Sequence, residues 1–146
     1  MLDQDGRSLF FYTDLVRGKV VAINFIYTTC RISCSAQGRT FSNLQTLLGD
    51  RLGNNVYLIS VTTDPEMDTP ARLRTWGEQF GRRPGWTLVT GTRANIHTLL
   101  RGLTGSTLRQ QRDSPTVLFR HDLRGIWKSD FALAAPARMH RVLTTW

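Results

Sequence analysis

The residues best suited to chemistry are Cys30 and Cys34, the only two cysteines in the 146-residue chain. Nucleophilic exchange and soft-metal ligation both need thiolate, so one pair of sulfurs can serve either purpose. If the turn between them is helical, the i, i+4 spacing puts both on one face. Their Cα atoms then lie roughly 6 Å apart, within reach of a disulfide. The same two thiolates can clamp Cu(I). Zinc needs about four ligands, and no other Cys or His lies close in sequence. The plain alternative is a pair of inert cysteines, free or bridged, although a disulfide closing so short a loop removes little chain entropy.

The elements around the pair say where it sits. Val20 to Tyr27 is a continuous β-branched and aromatic run, as expected of a central strand buried on both faces. Asn24 within it needs a partner. After the cysteines, Phe41, Leu44, Leu47 and Leu48 recur at helical spacing, which predicts a helix from about Ser33 to Leu48. Cys30 therefore ends a loop, and Cys34 lies at or just inside a helix start. Free N–H groups and the partial positive charge there lower a thiol pKa. Arg31 adds a cation, and Cys30, nearer the loop tip, is taken as the nucleophile.

The remaining elements follow in order. Residues 3–19 read as an entry hairpin, with turns at Asp5-Gly6 and Arg17-Gly18-Lys19 and a strand over Leu9–Tyr12. Val56–Val61 is a second buried strand. Thr69 or Asp68 caps a helix that has Pro70 at its first position and stops at Gly81. Trp86–Thr90 is a third strand, and Thr92 caps a helix closed by Gly102. Pro115–Arg120 is a fourth strand, turned back by Asp122–Gly125 into Ile126–Lys128. A last helix runs from Pro136 to Trp146. Strands alternating with helices predict one α/β domain over 1–146, with a partly parallel mixed sheet flanked by helices.

Composition excludes some classes. The formal charge is +8, with 17 arginines and two lysines, but the arginines are scattered and form no run or aromatic-interleaved motif. A solvated basic surface fits better than nucleic-acid binding, and an acidic protein partner is the next option. No window approaches the roughly 18 apolar residues of a membrane span. The opening Met1–Gly6 lacks the layout of a leader and enters structure at once, which is consistent with a leader or anchor removed upstream.

Two blocks resemble the Sco/SenC family. Asn24-Phe25-Ile26-Tyr27-Thr28-Thr29-Cys30-Arg31-Ile32-Ser33-Cys34 is similar to the family's cysteine signature. Thr63-Asp64-Pro65-Glu66-Met67-Asp68-Thr69-Pro70 is similar to its aspartate-proline loop. Gly18–Val21 and Ser114–Leu118 also fit, and the resemblance runs from about Leu2 to Lys128. It implies a thioredoxin-like fold and a membrane-anchored full-length protein whose domain lies in the periplasm or on another extracytoplasmic, oxidising face of a membrane. It also implies copper handling for cytochrome c oxidase, with the copper-centre subunit or another copper or thiol carrier as partner. Some members act mainly as thiol-disulfide reductants.

The resemblance also implies a third copper ligand, a histidine just before the fourth strand, where this chain has Asp113. Carboxylate is a hard ligand and replaces imidazole poorly on copper, so Cu(I) is expected over Cu(II). His121 is the other candidate ligand, but six strand residues put it roughly 20 Å from that end. His97 and His140 read as structural or surface residues on helices. Asp64 and Asp68 read as turn and helix caps, or else as a polar loop near the thiols. Tyr27 and Thr28 are candidates to line the pocket. The resemblance leaves the Ser114–Pro115 bond open: it is either trans, or cis with Pro115 facing the thiols. Trp76, Trp86, Trp127 and Trp146 read as core and edge packing.

Three readings follow. The first is a Sco-like protein that holds Cu(I) on Cys30 and Cys34 for oxidase assembly. The second is a thiol-disulfide oxidoreductase using the same pair. The third is a domain with an inert disulfide that only binds a partner.

Overall fold

The computed structural model describes residues 1–29 and 33–146, with Ser33 and Cys34 described by their backbone alone. Five strands form one mixed sheet: β1 (Val20–Ile26), β2 (Val56–Thr62), β3 (Trp86–Val89), β4 (Thr116–His121) and β5 (Ile126–Phe131). Their spatial order is β3-β2-β1-β4-β5. β1 pairs parallel with β2 from Val20↔Val56 to Ile26↔Thr62, and β2 pairs parallel with β3. β4 runs antiparallel to β1, with Ile23↔Leu118 in register, and β5 closes the sheet antiparallel to β4.

Alternation along β1 divides the core into two layers. Ala22 and Ile26 face α1 (Ser33–Leu48), α2 (Pro70–Gln79) and α5 (Pro136–Thr144), where Phe41, Leu44, Leu73, Trp76 and Met139 cover them. Val21, Ile23 and Phe25 face the other way, onto Ile96 and Leu100 of α3 (Arg93–Thr104). With apolar side chains buried on both sides, β1 takes the centre of the sheet. Asn24 finds its partner within the core. Its Oδ1 accepts from the Ser60 hydroxyl at 2.6 Å, and Ser60 Oγ accepts from Trp86 Nε1 at 3.0 Å.

The thioredoxin-like α/β architecture is as expected, and so are the α1 bounds and the α2 cap. The Thr69 hydroxyl accepts from the Arg72 N–H at 3.3 Å, one residue ahead of Pro70. Three local expectations need correction. The N-terminal hairpin is short: the Asp5-Gly6 turn joins an antiparallel bridge between Leu2 and Ser8. The strand expected over Leu9–Tyr12 is absent. Phe11–Val16 instead forms a π-helical segment, and Asp14 Oδ2 accepts the Phe10 N–H at 2.7 Å. The reason is topological, because β2 and β4 occupy both edges of β1.

The second correction concerns α3, which passes through Gly102 and ends at Gly105, where φ is +71°. The Gly105 N–H donates to the Arg101 carbonyl, a left-handed ending that glycine allows cheaply. The third is a helix that was not anticipated, α4 (Leu108–Asp113). Its capping box was legible: Thr107 Oγ1 accepts the Gln110 N–H at 3.1 Å, and Gln110 Oε1 accepts the Thr107 N–H at 2.8 Å. Among the described residues, no helix is long and apolar enough to cross a membrane.

Candidate functional site

β1 ends at Ile26 and the chain continues through Tyr27, Thr28 and Thr29. Cys30 and Arg31 lie outside the described residues. The backbone of Cys34 is the second residue of α1, a sixteen-residue helix with no acidic residue in its first turn. The first-turn N–H groups and the helix dipole favour negative charge at that position.

The approach to the pair is held by a buried carboxylate. Asp68 is 1% exposed. It accepts the Thr28 N–H at 3.1 Å, the Thr28 hydroxyl, and the Thr62 hydroxyl at 2.7 Å. A buried carboxylate is tolerated only with such donors. The Thr63 N–H donates to the Ile26 carbonyl at 2.7 Å, and the Asp64 N–H donates to Thr62 Oγ1 at 2.9 Å. The loops after β1 and β2 are thus latched together. Of the two readings of Asp68, the polar loop at this end prevails, and Thr69 supplies the helix cap.

α1 adds a second tie. Gln37, one turn after Cys34 and 1% exposed, donates from Nε2 to the Phe25 carbonyl at 3.3 Å. α4 adds a third. Continuing the antiparallel register beyond Ile23↔Leu118 brings the start of β4, and α4 just before it, to the end of β1. Gln111 fixes α4 there, its Oε1 accepting the Thr116 N–H at 3.2 Å. From that position the Arg112 guanidinium lies 5.2 Å above the Tyr27 ring. It donates to the Thr63 carbonyl and sits 3.7 Å from Asp64 Oδ1. Tyr27 thus lies at this end of the sheet, under the Arg112 guanidinium.

The other named residues fall as follows. Asp113 is at the C-terminal end of α4, on this side of the sheet, and its side chain is exposed. The Ser114–Pro115 peptide is trans, since no described peptide bond is cis, and the alternative left open by the sequence is decided that way. His121 pairs with Val20, at the opposite end of β1 from Tyr27, and its Nδ1 accepts the Arg124 N–H at 3.3 Å. His97 is exposed on α3, and His140 is half-buried on α5. Sequence reasoning missed Arg112 because it missed α4; the Thr107/Gln110 capping box was the signal that could have located both.

Comparison with known proteins agrees with this architecture. No curated protein sequence matches significantly. A SCO1/SenC family lipoprotein from Bacillus anthracis superposes with a TM-score of 0.79 at 20% identity, covering 97% of this chain and 88% of that one. BsSco, described as a member of the Sco family of cytochrome c oxidase assembly proteins, gives 0.81 at 18% identity, covering 99% and 88%. Copper-bound ScoI from Bradyrhizobium japonicum gives 0.74 at 20% identity, covering 97% and 92%. At these identities the likeness establishes the thioredoxin-like fold. The SCO1/SenC family model matches residues 1–123, which include both cysteines and the Asp68 loop, and the chain therefore belongs to the SCO1/SenC family.

Proposed function

We propose that this protein holds Cu(I) between Cys30 and Cys34 and delivers it during cytochrome c oxidase assembly. The receiver would be the copper-centre subunit or another copper or thiol carrier. One observation carries the reading. Cys34 stands in the first turn of a long helix, immediately beyond a buried strand whose exit loop is latched by Asp68. Two thiolates are a soft donor set that suits Cu(I). Binding releases the thiol protons and leaves an anionic site. The α1 N-terminus and Arg112 supply compensating positive charge at this end of the sheet. Placement outside the cytoplasm, in an anchored longer protein, goes with this reading; the Bacillus anthracis neighbour is named a lipoprotein.

Anaerobic Cu(I) titration of the reduced protein against a competing chelator tests the proposal. Cys30→Ser and Cys34→Ser should each weaken Cu(I) binding by orders of magnitude, and unchanged affinity in either would sink it. Cu(II) should bind weakly because Asp113 supplies no imidazole, and Asp113→His should strengthen it. No gain would remove Asp113 from the ligand set.

A second reading is favoured by the cation at this end and by Asp113 in place of histidine. In it, one thiolate attacks a partner disulfide and forms a mixed disulfide. The second thiolate displaces the partner, which leaves as a dithiol, and Cys30 and Cys34 remain joined. A dithiol reductant then restores the pair. Measuring the reduction potential together with exchange against a model disulfide separates the two: fast exchange with weak Cu(I) affinity favours the second.

A further inference from the structure

At the opposite end of the sheet, the starts of β1 and β2, the turn after β4 and the end of α5 enclose a groove of about 610 Å³. That size is typical of small-molecule sites. Three cations line it: Arg17 and Lys19 just before β1, and Arg51 just before β2. Tyr57, His121 and Trp146 form its aromatic wall. Among the described residues, no acidic side chain lines it.

The neighbouring acids are either committed elsewhere or unpaired with these cations. Asp122 accepts the Gly18 N–H at 2.8 Å, the Tyr12 hydroxyl at 2.9 Å and Arg120 at 3.0 Å. The Asp14 carboxylate accepts the Phe10 N–H. Asp50 is next to Arg51 in sequence and forms no ion pair with it. Lys19 donates to the Asp14 carbonyl and lies 4.7 Å over the Tyr57 ring. Among the described residues, neither Arg17 nor Arg51 makes an ion pair, and both are exposed.

One further donor lacks a complement. Trp146 Nε1 is shut off from solvent and has no acceptor. A buried donor without an acceptor is uncommon in a folded protein and unfavourable. His121 Nδ1 is taken up by the Arg124 N–H. Lys128 Nζ adds positive charge 4.7 Å over the Trp146 ring. Among the described residues, the side chains that line the groove thus include three cations and no carboxylate.

We propose that this groove binds a small phosphate-bearing ligand, its phosphate taken by the Arg17 and Arg51 guanidinium forks beside Lys19. Guanidinium matches phosphate oxygens two at a time, and clustered cations favour a multiply charged anion over a single carboxylate. The phosphate can come from a soluble molecule or from a lipid headgroup. Titrating the full chain with pyrophosphate at constant ionic strength, followed by 1H–15N spectra, tests the site. Saturable shifts are expected at Arg17, Arg51 and the Trp146 indole, but not at Arg93 or Arg138 on other faces.

The double variant Arg17→Gln/Arg51→Gln should weaken pyrophosphate binding at least tenfold while leaving Cu(I) affinity unchanged. Both side chains are exposed, so the variant should keep its denaturation midpoint. Co-sedimentation with phosphatidylglycerol vesicles, against phosphatidylcholine alone, separates the sources. Vesicle binding lost in the double variant identifies a headgroup, and pyrophosphate binding without vesicle binding identifies a soluble ligand. Neither binding, shifts that chloride reproduces, or a double variant that binds as well as the parent would overturn the proposal. None of these outcomes bears on the cysteine reading, which the Cu(I) titration tests separately.

Discussion

At the end of the sheet where β1 and β2 finish, Asp68 and Arg112 find their partners within the chain, while Gln37 Oε1 is buried without one. Asp68 takes up Thr28 and Thr62, and Arg112 spans Tyr27, Thr63 and Asp64. At the end where the same strands begin, Arg17 and Arg51 make no ion pair among the described residues and the Trp146 indole has no acceptor. The first arrangement holds a loop in place before any ligand arrives, so that little entropy is lost on binding. The second leaves its charge uncompensated, which suits recognition of something the chain itself does not supply. One sheet thus carries a preorganised end and an open end, differing in where their hydrogen bonds go rather than in how polar they are.

The largest effect is expected from breaking the first end. Asp68→Ala leaves the buried Thr62 hydroxyl and the half-buried Thr28 donors without an acceptor and should destabilise the fold by about 3 kcal/mol. Urea denaturation checks this. A loss below about 1 kcal/mol would mean that the latch does not organise the loop.

Two glycine substitutions test a smaller effect at the same two levels of constraint. A Cβ on Gly38, one turn beyond Cys34, would meet the Phe80 ring at 2.5 Å. Gly38→Ala should therefore lower stability by about 1 kcal/mol, overpacking outweighing the gain in helix propensity. Gly102 meets nothing within 4 Å, so Gly102→Ala in α3 should stabilise by about 0.5 kcal/mol. Thermal or urea midpoints that move in the same direction for both would contradict this packing contrast.

The smallest effect concerns Asp122, beside the open end. The Gly18 N–H holds its carboxyl below the usual carboxylate range, with the Tyr12 hydroxyl and Arg120 assisting. Its contribution is complete above the unfolded aspartate pKa of about 3.9 and disappears as pH falls through the lower folded value. Asp122→Asn should flatten the acid limb of the denaturation midpoint below about pH 4 and leave the neutral region's slope unchanged. An unchanged acid limb would show that the Gly18 contact contributes nothing.

Much of this was legible in the sequence because it depends on local pattern. The run Val20–Ile26 could only be a doubly buried strand, and the α1 bounds followed from Phe41, Leu44 and Leu48 and the glycines after them. The N-terminal segment misled because Leu9–Tyr12 has strand composition, whereas strand formation needs a free edge and β1 had none. α4 was missed because a single leucine followed by five polar residues carries no apolar period, although Thr107 and Gln110 mark its start.

Two cysteines with three residues between them, at the exit of a buried strand, are a property of the sequence alone. So are the family blocks around them, because chain order and residue type suffice to specify both. What surrounds that exit was decided by the tertiary structure. Asp68 becomes a latch only because β1 and β2 lie parallel and end together. Arg112 reaches Tyr27 only because β4 runs antiparallel and brings α4 to the same edge. His121 is carried to the far end by that same register. Register and strand order depend on pairings between distant segments, which no local pattern encodes.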